Sequence, residues 1–582
     1  MAVTPKRNDK CSCGSGKKYK NCCMPKGNMG VRLQTEHELD QVRQLIKSKQ
    51  LQQAISLLEN LVTRAPNHAE AVTILGMLQT QVGNIPAAIK SLRRSVQLAP
   101  KNYGNYFNLG SLQLNVGDFK GAQRTFYKAA KAQPNALEWD LLKVVAMAPE
   151  FIDSVSQIES IMQELEITLS QLEASNKKIQ DLENLRGNLF HIGYYGVSTL
   201  EIQRRISKLM VERLDSTPQS STKSSESMKL RVGFLSGLMR DHTIGKLNAG
   251  LIQKLDREKF HVVVIHLFSS KNDQRQYEID CSADEVVRLT ANTTASARVI
   301  DALKLDILHY LDIGMNAFTH RLAHFRLAPV QSTSWGHPVT TGIPNMDYFI
   351  TFGLSEPEDG RNHYSENLIN FANPPTFYER PKVVLSPELE LPAGNLYGCL
   401  QSLFKLHPEF DDVLESIVSL DRSATIVLVE AENKSLTDQV MSRWAKRGGV
   451  LIQRSVFLPR MNGKNFLSVV KSMDVLLDPA YFGSGNTLFE SMSLGIPSVT
   501  WPGPFMRGRI AAALYEYIEV EDPPVVERLS DYAECATNLV SDFSRLSRLK
   551  REIEKRSALL YENRDVISEF EGFFLSVAKR AQ

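Results

Sequence analysis

Three prolines set a fixed interval near the start of this chain: Pro66, Pro100 and Pro134 stand 34 residues apart, each closing an amphipathic stretch. Other positions keep the same phase. Leu75-Gly76 returns as Leu109-Gly110, Gly83 as Gly117, and Ala54, Ala88 and Ala122 recur where only a small side chain lets two helices approach. A period of this length belongs to a two-helix repeat, which cannot bury its apolar face alone and must stack on neighbours to make a core.

The segment 34–138 resembles three tetratricopeptide repeats, the first degenerate because Val42 takes the place of the expected glycine. Three units are near the minimum for a continuous core. Such an array implies a concave surface for a polypeptide, and it serves equally as a spacer or a dimer contact. The pattern stays helical over a connector, 139–215, until the run STPQSSTKSSES interrupts it. That run reads as a flexible linker over 216–228.

Beyond the linker the texture changes. Short apolar runs appear at Leu230–Leu235, His261–Phe268, Ile307–Leu311, Ala424–Val429, Val475–Leu477 and Ile496–Trp501, with helical patterns between them. Alternation of this kind predicts parallel sheets covered on both faces. The remaining length exceeds one such sheet, so two doubly wound domains are expected, 229–385 and 386–582, with Pro381, Pro387 and Pro392 marking the boundary. Ligands then bind beyond the carboxyl ends of the strands, in the cleft between the sheets.

Bulk properties exclude several classes. A chain of 582 residues that is 43% hydrophobic and 23% charged is globular and multidomain, not disordered or fibrous. Its net charge of +3, with the one dense basic stretch from Lys6 to Lys26, argues against nucleic acid as a partner. No apolar run approaches the ~20 residues of a membrane span, and no apolar segment follows the first positive charges. A cytoplasmic location is therefore expected.

Four of the seven cysteines crowd into CSCGSGKKYKNCC, as Cys11, Cys13, Cys22 and Cys23, while Cys281, Cys399 and Cys535 are scattered. Four thiolates make a closed tetrahedral zinc site, and the Gly-Ser-Gly turn lets a short chain fold back around the ion. With no open coordination position, such a zinc is structural and not catalytic. The spacing resembles the SEC-C motif, which implies a docking module, within 1–30, for a chaperone, ribosome or other protein.

The most informative loop of the second half is DPAYFGSGNTLFESMSLGIPSVTW, from Asp478 to Trp501. A strand ends near Asp478, a Gly-rich loop follows, and a helix begins at Asn486-Thr487. Exposed amides at a helix start suit a diphosphate, and Glu490, one turn on, suits ribose hydroxyls. The segment alone fits equally an ordinary crossover with a capping Asn. Two other strand-end loops carry histidines, His242 in FLSGLMRDHTIGK and His337 in STSWGHPVTTGIPNMDY.

Together with NLFHIGYYGVSTLEI at 188–202, these segments resemble the catalytic region of glycosyltransferase family 41, the O-linked N-acetylglucosamine transferase and SPINDLY group, which includes bacterial protein N-glucosyltransferases. The resemblance implies a GT-B pair of domains behind the repeats. It assigns His242 to the first catalytic loop, near acceptor and sugar phosphates, and His337 to the GHP variant of the second loop. QSLFK at 401–405 implies Lys405 as the diphosphate cation and Gln401 or Ser402 as a uracil-side contact. Asn486 and Thr487 match the phosphate cradle, with Glu490 where Asp is usual and Gly485 where the animal-type motif has histidine. LPRMNGKNF lacks that branch's Lys-and-His pair in register, leaving Lys464 as a substitute.

Membership of that family implies metal-free, inverting transfer of GlcNAc or a hexose from a UDP-sugar to Ser, Thr or Asn of a polypeptide guided by the repeats. Lys405 and the helix amides would stabilise charge on the departing UDP. The two imidazoles would position the acceptor or relay its proton. Two alternatives stay open at this level: transfer to a small molecule or glycan, and a non-catalytic adaptor built on the repeats and the zinc knuckle.

Overall fold

The computed structural model describes residues 8–10, 17–18, 23–214, 229–382 and 391–581, with side chains from Gln34 onward in the helical region. The chain forms two compact units, Met1–Gln133 and Pro134–Gln582.

Among its described residues the first unit forms six helices in three antiparallel pairs: α1 (Cys23–Lys47) with α2 (Leu51–Arg64), α3 (Ala69–Gln81) with α4 (Ile85–Leu98), and α5 (Tyr103–Asn115) with α6 (Phe119–Ala132). The phased alanines Ala54, Ala88 and Ala122 are completely buried at the helix contacts. The turns between paired helices need a left-handed residue, and Gly83 (φ 79°) and Gly117 (φ 78°) supply it at no steric cost. In the degenerate first repeat the same slot is held by Lys49 at φ 60°. The backbone turn has outlasted the glycine that suits it.

The repeats end sooner than the sequence pattern suggests. Residues after Pro134 join the second unit, where Leu137 N–H donates to the Lys178 carbonyl at 2.9 Å and Ala136 pairs with Lys178. The connector has its own apolar core, built from helices Leu137–Val145, Val155–Glu173 and Leu200–Glu212. Between the last two it abandons the regular helix for short 3-10 turns, including Phe190–Tyr194.

Two parallel sheets complete the second unit. The first runs β1 (Leu230–Ser236), β2 (Phe260–His266), β3 (Glu285–Arg288), β4 (Ile307–Tyr310), β5 (Val330–Thr333), β6 (Tyr348–Phe352) and β7 (Asn367–Phe371), in the spatial order β3-β2-β1-β4-β5-β6-β7. Val232 lies between Val262 and Ile307, so the order reverses at the β1–β4 pair. The second runs β8 (Asn395–Gly398), β9 (Ala424–Val429), β10 (Ser455–Leu458), β11 (Val475–Leu477) and β12 (Ser498–Val499), in the order β10-β9-β8-β11-β12, and reverses at β8–β11. Each reversal opens a crevice at the carboxyl ends.

The division at 386 is not clean. The helix Asp565–Ala581 crosses back and seats Val566, Phe570, Phe574 and Val577 in the core of the first sheet, with Phe574 edge-on to Phe234 and Phe260. An amphipathic helix declares its apolar face but not which sheet will receive it. No helix among the described residues is long and apolar enough to cross a membrane.

The strained turn gives a direct test. Left-handed geometry costs a residue with a Cβ about 1 kcal/mol, so Lys49→Gly should slow amide exchange in α1 and α2 about fivefold, measured by mass spectrometry on the whole chain. Unchanged exchange would mean that Lys49 carries no strain.

Candidate active site

Both crevices are lined by the loops that the sequence singled out. On the first sheet, the loop after β1 ends at His242, which precedes the helix Thr243–Lys254 and caps it: Ile244 N–H donates to His242 Nδ1 at 3.2 Å. Because Nδ1 accepts, Nε2 carries the proton of the neutral ring. Burial, reinforced by Arg240 and Lys246, lowers the imidazole pKa from its ordinary value. Its capping bond thus fixes the ring and leaves Nε2 as the donor. At the foot of the same loop Asp312, just after β4, accepts from Ser236 Oγ and Gly237 N–H at 2.9 Å each and is pushed up to about 6 by burial.

His337 is placed differently from the expectation of an imidazole free to relay a proton. Gly336 lets the loop press against β4, since a Cβ there would lie 1.9 Å from the Leu311 carbonyl oxygen. The His337 ring beside it is stacked on Phe190 (4.5 Å between centroids) and flanked by Tyr194 and Phe482 (5.9 Å each). Burial first, then the charges of Arg507 and Lys405, hold its pKa down to about 3. The ring is therefore neutral at physiological pH and packs among these aromatic rings.

On the second sheet, Lys405 ends a 3-10 turn after β8. Its ammonium donates to Gln401 Oε1 at 2.9 Å and to the Gly483 carbonyl at 2.7 Å, and lies 5.0 Å from the Phe482 ring centre. Two of three donors are used. Burial pushes its pKa down to about 8, opposed by the nearby Asp478 carboxylate. Asp478 is itself buried, accepting from Ser484 N–H at 2.6 Å and Thr500 Oγ1 at 2.8 Å, and so shapes the loop after β11. Ser402 stands exposed at the mouth of the turn.

That loop delivers the helix Asn486–Ser493. No side chain caps it: Gly485 occupies the cap position, and Asn486 Oδ1 instead accepts from Tyr378 Oη at 2.5 Å. The reading of Asn486 as a simple cap therefore fails, and the first amides are left to other partners. Thr487 sits half-buried alongside. A Cβ at Gly485 would meet nothing within 4 Å, so the loop leaves room beside the helix start. Glu490, one turn in, is held by Lys246 Nζ at 3.1 Å, and this ion pair joins the two sheets' helices across the cleft.

The structure thus brings Gln401, Lys405, His337, Gly485, Asn486 and Glu490 to one region, with His242 one helical turn from Lys246. Lys464 is not part of it; it is exposed on the helix Gly463–Ser472 and bonded to none of these groups. Sequence reasoning missed Lys246, Tyr378, Phe482 and Arg507. The Arg507 guanidinium is buried and donates to the Gly193 and Val197 carbonyls at 2.7 and 2.8 Å, fastening the connector to the second sheet. The aromatic density of NLFHIGYYG was a signal for Phe190 and Tyr194; nothing local marks Arg507 or Lys246, whose partners are hundreds of residues away.

Cys11, Cys13 and Cys22 lie outside the described residues, and nothing is described of the Cys23 side chain. Lys10 and Lys18 pair as an antiparallel bridge, so the chain at Lys18 runs back beside Lys10.

The family model of glycosyl transferase family 41 matches residues 199–390, the SEC-C motif model residues 7–25, and a tetratricopeptide repeat model residues 103–136. The probable UDP-N-acetylglucosamine–peptide N-acetylglucosaminyltransferase SEC of Arabidopsis thaliana is 23% identical over 343 residues, 56% of this chain and 34% of that protein. The corresponding SPINDLY protein of Solanum lycopersicum is 29% identical over 246 residues, 40% of this chain and 26% of that protein. The UDP-glucose:protein N-beta-glucosyltransferase of Actinobacillus pleuropneumoniae serotype 5b is 23% identical, over 44% of this chain and 41% of that protein. The chain spans less than half the length of these relatives. Among solved structures, a mutant O-GlcNAc transferase of Thermobaculum terrenum shares the fold, with a TM-score of 0.69 and 21% identity over 95% of this chain and 98% of that one. In its sequence segments and in its fold, this chain resembles glycosyl transferase family 41, with a SEC-C motif and tetratricopeptide repeats ahead of the paired parallel sheets.

Proposed function

We propose that this chain is a UDP-sugar-dependent, inverting protein glycosyltransferase, moving GlcNAc or a hexose to Ser, Thr or Asn of a polypeptide. One observation carries the reading: the Lys405 ammonium and the uncapped start of the helix Asn486–Ser493 meet on a single loop, through the Lys405–Gly483 bond. Both favour an anion, and the relatives' names supply its class, a nucleoside diphosphate sugar.

The reaction exchanges one bond at the anomeric carbon for another and releases the acceptor's proton. The acceptor oxygen or nitrogen attacks the anomeric carbon, the bond from that carbon to the β-phosphate oxygen breaks, and its electron pair leaves with UDP. Lys405 and the amides at 486–487 stabilise the charge that develops there. Gln401 and Ser402 sit on the same turn, where a uracil edge would lie, and Glu490 takes the ribose once Lys246 is displaced. His242 donates from Nε2 to an oxygen of the sugar phosphates or acceptor, while His337 holds the wall of the pocket. The acceptor's O–H or N–H bond breaks in the same exchange, and its proton passes to water or to an oxygen of the departing diphosphate and not to a side chain. Cytoplasmic action fits three free cysteines among the described residues, Cys281, Cys399 and Cys535.

Lys405→Ala should lower kcat/KM for transfer or hydrolysis with UDP-GlcNAc or UDP-glucose by about a hundredfold to a thousandfold. With the native chain, kcat/KM should fall as pH rises through about 8, because the free enzyme loses its buried cation there. An ordinary lysine would hold its charge until about 10.4. The kcat profile should extend further, since a bound diphosphate favours the ammonium. Absence of turnover with both donors would sink the enzymatic reading.

Glu490 is tested by discrimination. A hydroxyl bonded to a carboxylate contributes about 1.5–3 kcal/mol, so the native chain should prefer UDP to its 2′- or 3′-deoxy analogue by about tenfold or more in calorimetry. In Glu490→Gln that preference should shrink towards parity; if it persists, the ribose contact lies elsewhere.

The N-terminal knuckle is proposed to hold one structural zinc through Cys11, Cys13, Cys22 and Cys23, a set that suits the ion by donor chemistry. Purified protein should release one equivalent of zinc on thiol modification, and Cys22→Ser should abolish that release. Unchanged release would place the metal elsewhere.

A further inference from the structure

The repeat unit carries a charge imbalance that the chain average conceals. From Ala71 to Ala132 there are eight Lys and Arg residues and one carboxylate, a net charge of +7 against +3 for all 582 residues. That carboxylate, Asp118, is already engaged, accepting from Gly121 N–H at 2.9 Å and Gln113 Nε2 at 3.1 Å. All eight cations are exposed, and none forms an ion pair among the described residues.

Three of them surround one groove. Arg93 and Gln97 of α4, Tyr106 and Gln113 of α5, and Arg124 and Lys128 of α6 line a cavity of about 370 Å³. Arg124 and Lys128 are four residues apart on one helical face, and Arg93 faces them from the neighbouring repeat. The floor is apolar or amide-bearing, with Tyr106 and Gln113 buried. Helices of 14 residues extend about 21 Å, the length of about six extended residues.

We propose that this groove between the second helices of the last two repeats docks an extended acidic segment of the polypeptide acceptor. The inference rests on the protein-glycosyltransferase reading and gives its acceptor a chemical class. Guanidinium forks at Arg93 and Arg124 take carboxylates in pairs, and the Gln97 carboxamide serves the peptide backbone. Nucleic acid fits less well. A base needs an open ring face, but Tyr106 is buried and the exposed Tyr127 has a face covered by the Lys131 ammonium, 4.9 Å from its centre.

The test is fluorescence anisotropy with the full chain and three labelled probes: a Glu/Asp-rich serine peptide, the same peptide with Gln and Asn for its acids, and an oligouridine. The acidic peptide should bind best, weakening as salt rises, with the neutral peptide at least about tenfold weaker. Arg93→Gln/Arg124→Gln/Lys128→Gln should remove that preference while leaving UDP-sugar hydrolysis unchanged, which also shows the variant is folded. Equal or tighter binding of oligouridine, or acidic-peptide binding that survives the triple substitution, would overturn the proposal. If the acidic peptide binds as expected but the native chain hydrolyses neither donor, the groove stands and the transferase reading falls.

Discussion

Everything at the site depends on one constraint: in each parallel sheet the strand order reverses once, and at that point neighbouring loops must part. Parallel strands send all their carboxyl ends the same way, so the crevice and the loops that can reach it share one edge. On the first sheet the parting lies between β1 and β4 and presents His242 and the Asp312 loop. On the second it lies between β8 and β11 and presents Lys405 and the start of the helix Asn486–Ser493. The chemistry is distributed over distant stretches of chain because topology, not sequence proximity, brings them together.

Burial then sets the electrical character of the region. Lys405 and Arg507 are both held in the interior with carbonyl oxygens as their bonded partners, and Asp478 is the buried carboxylate that opposes Lys405. A cation satisfied by dipoles keeps most of its field for a newcomer, whereas one closed into an ion pair does not. Across the gap, His337 is kept neutral by the aromatic rings around it, so the wall facing these cations adds no competing charge.

How much of this the sequence disclosed depended on whether the signal was local. The repeats were legible because a fixed period survives even where a residue changes, as at Lys49. Strands β1, β2, β4, β9, β11 and β12 were legible as apolar runs. β5 was not, although it is central and fully buried, because it reads Val-Gln-Ser-Thr. Its polar groups are satisfied inside the fold: Gln331 Nε2 donates to the Asn345 carbonyl, Ser332 Oγ pairs with His309 Nδ1, and Thr333 Oγ1 donates to the Tyr310 carbonyl. The edge strands β3 and β10 are only half-buried and mix polar with apolar residues. Around the two crevices, the loop residues were singled out through family resemblance. Lys246 was not, because its meaning lies in Glu490, 244 positions away.

The returning helix Asp565–Ala581 bears on how the molecule is made. Phe570 and Phe574 fill the first sheet's core against Phe234, Phe260 and Phe371. During synthesis the first sheet emerges from the ribosome long before those rings exist, and it must wait with an open apolar face while the second sheet is translated. Vectorial folding of this chain therefore cannot finish one half and then begin the other. The two halves close together, and the nascent first sheet is the stretch most in need of shelter until residue 577 has left the exit tunnel.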